Sequence, residues 1–168
     1  NERHVEYRFL RLHPDSGTVS TEGPAQRTIL ECRRTRAHAE LARTLGLQPG
    51  DPVVQIRRLL TLGGAPTILE DIWLPGQLFK GLSTEMLTSH QGPTYALFEK
   101  DFGVRTIRAE EQVRAVLPDP AQARLLAIDT VTPVLQVDRV SYTYNDAPVE
   151  VRKGLYRTDT HYYKNTLS

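Results

Sequence analysis

At 168 residues and 39% apolar content, the chain has the length of one ordinary domain and enough apolar side chains to bury a core, which excludes an intrinsically disordered segment. Lys plus Arg is 21 and Asp plus Glu is 20, with about +2 over residues 1–84 and about −1 over 85–168, so neither half is a basic surface built for phosphates. No run approaches the roughly 18 apolar residues of a membrane span, the opening Asn1 to Glu6 has no hydrophobic signal core, and the single Cys32 excludes an intramolecular disulfide or a thiolate metal cluster.

Tyr7 to Leu12 alternates weakly, and His13 to Gly17 with Gly23-Pro24 frames a polar stretch that reads as a surface loop. Thr28 to Arg36 reads as a strand. Ala37 to Leu47 has helical spacing and stops at Gln48-Pro49-Gly50, where Pro cannot continue a helix and Gly accepts left-handed geometry. Val53–Leu62 and Pro66–Leu74 form a hairpin across Gly63-Gly64. Phe79 to Asp101 reads as two short helices ended by Gly103, and Ile107 to Leu117 as a strand. Asp119-Pro120 caps a helix through Ile128, and Val134–Tyr144 with Pro148–Tyr156 forms a second hairpin.

Shifting the chain by 81 residues lays Ala42-Arg43-Thr44-Leu45 on Ala123-Arg124-Leu125-Leu126, and Pro52 to Arg58 on Pro133 to Arg139. Both hairpins then reach Ala-Pro, at Ala65-Pro66 and Ala147-Pro148, one residue out of phase. Such a pattern describes two copies of a strand, helix, hairpin unit. They are expected to pair into one continuous antiparallel sheet with helices on one face, with a ligand cleft between the halves.

Period-two alternation places Arg58 in the apolar row Val54, Ile56, Leu60, Leu62, and Glu70 in the row Ile68, Ile72, Leu74. Charges in such rows are costly unless paired or facing a polar cavity. A two-residue Gly63-Gly64 loop would put Arg58 and Glu70 on opposite faces, and a three-residue loop through Ala65 would set them opposite one another, which is the expected arrangement. The pair reads equally as a ligand site and as a salt bridge that only holds the sheet. In the second hairpin Glu150, Arg152 and Tyr156 share a strand face that, on the residues alone, reads as solvated. The cluster Arg33, Arg34, Arg36 and Arg43, flanked by Glu31 and Glu40, reads as a solvated strand end. His4, His13, His38, His90 and His161 are scattered without His or Cys partners at ligand spacing, and there is no nucleophile elbow or phosphate loop, so neither a metal, a cofactor nor a catalytic residue is expected.

The run Ile56 to Pro66 with Glu70, the run Tyr95 to Gly103, Ala147-Pro148-Val149-Glu150 and the closing Tyr156-Arg157-Thr158-Asp159 together resemble the UTRA domain, the effector-binding domain of HutC-type GntR transcription regulators. The likeness covers nearly the whole chain. It implies an α+β domain of the chorismate-lyase-like fold, occupying residues 1–168 as one unit of a cytoplasmic, homodimeric repressor without enzymatic activity. It also implies that the winged helix-turn-helix DNA-binding domain would precede Asn1 and is absent from this chain, so that DNA is contacted only through that domain. By position, the resemblance assigns ligand contacts to Arg58, Glu70, Tyr95, Glu150 and Tyr156.

Two positions depart from relatives that sense phosphorylated amino sugars. Leu60 stands where they have a second Arg, and Pro93 where they have a Ser, while Arg152 adds a guanidinium beside Glu150. These departures shift the expected effector from a sugar phosphate to an organic acid, whose carboxylate a planar Arg fork suits. An enzyme of the chorismate-lyase type and a dimerisation module without ligand stand as the alternatives.

Overall fold

Each half of the duplicated sequence builds the same unit, and the two units meet at their last strands. The computed structural model describes residues 12–15 and 26–167. After a short strand β1 (Leu12–Pro14), the first unit comprises β2 (Gln26–Arg36), helix α1 (Ala39–Leu45), β3 (Pro52–Leu62) and β4 (Ala65–Pro75). Two helices follow, α2 (Thr84–Ser89) and α3 (Thr94–Phe102). The second unit comprises β5 (Arg108–Val116), α4 (Pro120–Leu126), β6 (Val134–Tyr142) and β7 (Pro148–Arg157), and β8 (His161–Tyr163) pairs with β1. The six long strands form one antiparallel sheet in the order β2-β3-β4-β7-β6-β5, symmetric about the β4–β7 junction. The 81-residue shift carries α1 onto α4 residue for residue, which is the duplication expected from the sequence. The weak strand read over Tyr7 to Leu12 and most of the polar loop after it lie outside the described residues.

The boundaries follow local chemistry. Helix α1 ends at Gly46 in the left-handed region, whose N–H bonds back to the last turn, and α4 opens on a reciprocal capping box between Asp119 and Gln122 with Pro120 at its start. The first hairpin departs from expectation in its mechanism. Its loop is only Gly63-Gly64, both at positive φ, with Leu62 facing Ala65, and a bulge at Thr67 moves the register by one so that Arg58 faces Glu70. The bulge, not a longer loop, brings the two charges together. A matching register shift lies between Ser141 and Tyr142 in the second hairpin, at the position related to the first by 81 residues.

The α+β, mostly antiparallel architecture is as expected, but the helices are divided between the two faces. Helices α2 and α3 cover the face carrying Val54, Ile56, Ile72 and Leu74, where Phe79 and Phe98 pack edge to face. Helix α1 packs on Val53, Trp73 and Val151, and α4 with Leu69, Val134 and Leu155, on the opposite side. The physical reason is that the central strands present apolar residues on both faces, Val54, Ile56, Ile72 and Leu74 on one and Val53, Leu69, Trp73, Val151 and Leu155 on the other, and each apolar patch needs cover. No helix among the described residues is long and apolar enough to cross a membrane.

Candidate functional site

Between α3 and the sheet lies a cluster of charges with little access to water. Arg58, Glu70, Tyr95, Glu150, Arg152 and Tyr156, the six residues singled out in the sequence, are each at most 5% exposed. Arg58 donates from Nε to Oε2 of Glu70 at 2.7 Å and from a terminal nitrogen to Oγ1 of Thr94 at 2.8 Å. Arg152 clasps Glu150 with two donors, at 2.8 and 3.2 Å, and reaches Glu70 at 3.5 Å. The Tyr95 hydroxyl donates to Glu150 at 3.3 Å, and the Arg152 guanidinium lies 5.3 Å from the centre of the Tyr95 ring. Tyr156 is on the same strand face but packs in a neighbouring apolar cluster with Leu12, Ile68 and Val137. The face of Glu150, Arg152 and Tyr156, which the residues alone read as solvated, is therefore buried. Tyr95 of α3 covers Glu150 and Arg152, and Leu12 of β1 packs in the cluster with Tyr156, contacts that strand periodicity does not report.

Five participants, Arg139, Glu111, Tyr163, Arg27 and Thr94, were not singled out in the sequence. Arg139 on β6 stands directly opposite Arg152 on β7, donates to the Tyr95 hydroxyl at 3.2 Å, and forks onto Glu111 of β5 at 2.7 to 2.9 Å. Glu111 in turn accepts from the Tyr163 hydroxyl at 2.8 Å. A signal for Arg139 existed, because the 81-residue shift lays Arg58 on it. On the far side of the cluster Arg27 donates to Thr94 Oγ1 at 2.8 Å and to the carbonyl of His90 at 3.0 Å. Two guanidinium groups thus converge on one buried hydroxyl in the first turn of α3, a nine-residue helix whose preceding residue, Pro93, supplies no side-chain cap.

Electrostatics keep Glu70 and Arg152 ionised. Burial alone would push the Glu70 carboxyl up, but Arg58 and Arg152 beside it outweigh burial and hold it at about 2. Burial works against the Arg152 charge as well, and Glu150, Tyr95 and Glu70 together outweigh it, so the guanidinium stays protonated. Burial raises the Tyr95 and Tyr156 hydroxyls, which remain neutral donors. These contacts hold the donors and acceptors of the cluster in fixed positions. The Arg33, Arg34, Arg36 and Arg43 cluster is exposed, as expected of a solvated strand end.

Comparison with known proteins agrees with this architecture. Residues 24–162 match the UTRA domain. The chain is 35% identical over 135 residues to the HTH-type transcriptional repressor PhnF of Mycolicibacterium smegmatis, covering 80% of this chain and 54% of that protein. It is 26% identical over 127 residues to the Escherichia coli mannosyl-D-glycerate transport/metabolism system repressor MngR, covering 76% of this chain and 51% of that protein. The chain thus spans about half the length of the curated relatives it matches. The crystal structure of the ligand-binding domain of a putative GntR-family transcriptional regulator from Bordetella bronchiseptica superposes with a TM-score of 0.91 at 52% identity, covering 98% of this chain and all of that one. Matched along most of its length by the family pattern and by these relatives, the chain belongs to the UTRA-domain family of GntR-type transcription regulators.

Proposed function

We propose that the chain is the effector-sensing domain of a homodimeric, cytoplasmic bacterial transcription repressor, without catalytic activity of its own. Its buried cluster binds the acidic group of a small metabolite and passes the binding energy to winged helix-turn-helix domains. The observation that carries the reading is the convergence of Arg27 and Arg58 on Thr94 at the start of α3. Guanidinium forks and the positive end of a helix dipole both favour an anion at that point. Glu70 and Glu150 accept from hydroxyl or amine groups of the same ligand, and Tyr95 and Tyr156 supply ring surface. Arg152 orients Glu150 through its two hydrogen bonds.

The ligand's acidic group is a carboxylate in this reading. Glu70 already takes up part of the charge of Arg58, which suits a singly charged partner better than a doubly charged one. A phosphate monoester is the second reading, and one observation favours it. Arg27 sits directly across from Leu60 on the neighbouring strand, so it brings a second guanidinium towards the place that an Arg at position 60 would serve.

A thermal-shift screen of organic acids and sugar phosphates tests the proposal. A bound ligand raises Tm with its concentration, as ligand linkage requires. A chain that shifts with none of them, or that converts chorismate, would replace the sensing reading with a dimerisation module or a lyase.

A further inference from the structure

We infer that a second copy of this chain docks on the outer edge of β5, extending the sheet across a two-fold axis at Gln112. The two ends of the six-stranded sheet are equivalent by duplication, yet they differ in how they meet solvent. At one end β2 is interrupted by a register shift between Ile29 and Glu31 and carries Arg33, Arg34 and Arg36, features that blunt an edge against pairing. At the other end β5 runs nine residues without a bulge or a proline, and among the described residues no strand lies on its outer side. Gln112 to Ala115 are all exposed.

The sequence of β5 is self-complementary when the strand pairs about its middle residue, Gln112. A two-fold axis normal to the sheet keeps each residue on its own face, so an antiparallel pair must centre on a residue. Centring on Glu110, Glu111 or Arg114 sets like charges against each other. Centring on Gln112 places Glu110 opposite Arg114 of the second copy, twice over, on one face. On the other face the exposed Ile107 then meets the exposed Leu117 at both ends, and Ala109 meets Ala115. The ladder with β6 runs from Arg108 to Val116, and just before it the Ile107 N–H donates to the carbonyl of Tyr142 at 2.8 Å, which ties Ile107 to the same neighbour. Centring on Val113 avoids repulsion but sets Glu110 against Val116 and leaves the charges unmatched. The Gln112 register also sets Glu111 against Val113, but Glu111 is already held by Arg139 and Tyr163; the two Glu110–Arg114 pairs and the overlap of all nine residues of the strand favour this register.

The inference names the surface of the homodimer proposed above and rests on that part of the reading alone. The test is the mass of the chain in solution by light scattering, at micromolar concentration, for the wild type, Glu110→Arg, Arg114→Glu and the double exchange. Each single variant sets like charges opposite each other twice and is expected to dissociate the dimer at least tenfold more readily, while the double exchange restores it. Both positions are exposed, and circular dichroism reports whether each variant keeps its fold. In a Cys32→Ser background, Gln112→Cys is expected to give a disulfide-linked dimer on mild oxidation. Glu110→Cys is not, because its copies lie ~13 Å apart in this register, beyond disulfide reach. A monomeric wild type would overturn both the dimer and the surface. A dimer indifferent to both single exchanges, or cross-linked through position 110 and not 112, would overturn the surface alone.

Discussion

Arg139 and Arg152 face each other across neighbouring strands with both side chains buried. Like charges directly opposite in a sheet destabilise it, and here each is held by a carboxylate of its own, Glu111 for Arg139 and Glu150 for Arg152. Removing one carboxylate leaves a buried guanidinium against another. Glu150→Gln is therefore expected to cost about 3–5 kcal/mol in urea unfolding, and Glu150→Gln with Arg152→Met to recover a good part of it. A single variant within about 1 kcal/mol of wild type would show that the clasp contributes little.

Acid unfolding reports on Glu70. Its carboxyl titrates at about 2 in the fold against an ordinary 4.5, so the unfolded chain binds the proton more readily. The associated stability is fully present above pH 4.5 and is lost as the pH falls towards 2. Glu70→Gln should flatten the fall in stability over that window by an amount on the order of 3 kcal/mol. Parallel profiles for variant and wild type would remove Glu70 as its source.

Gly154 sits opposite Glu70 because nothing larger fits. A Cβ there would lie 2.5 Å from Cε1 of Tyr156. Gly154→Ala must turn the Tyr156 ring away, and a loss of about 1–3 kcal/mol is expected from the overpacking. Equilibrium unfolding measures the loss, and weaker binding of any ligand hit would place the Tyr156 ring against that ligand.

Much of this was legible in the sequence. The repeat predicts the symmetric strand order, and Arg58 and Glu70 stand out because they interrupt apolar rows. Their meeting was expected from a longer loop, whereas the bulge at Thr67 accomplishes it; a bulge leaves no mark in a run of β-formers. Glu150 and Arg152 resemble a wet face until α3 covers them, since burial by a distant helix is invisible to local alternation. Arg27 and Thr94 are 67 residues apart and meet only through the tertiary fold.

The proposal that the cluster holds a carboxylate at Arg58 is tested most directly by calorimetry. An acid from the thermal-shift screen is compared with its amide and its phosphate analogue, on wild type and on Arg58→Ala. The acid is predicted to bind tightest and to lose about 10–100-fold in affinity with Arg58→Ala, the value of one charge-assisted contact. A phosphate analogue that binds more tightly than the acid, an amide that binds equally well, or an Arg58→Ala variant with unchanged affinity would contradict it.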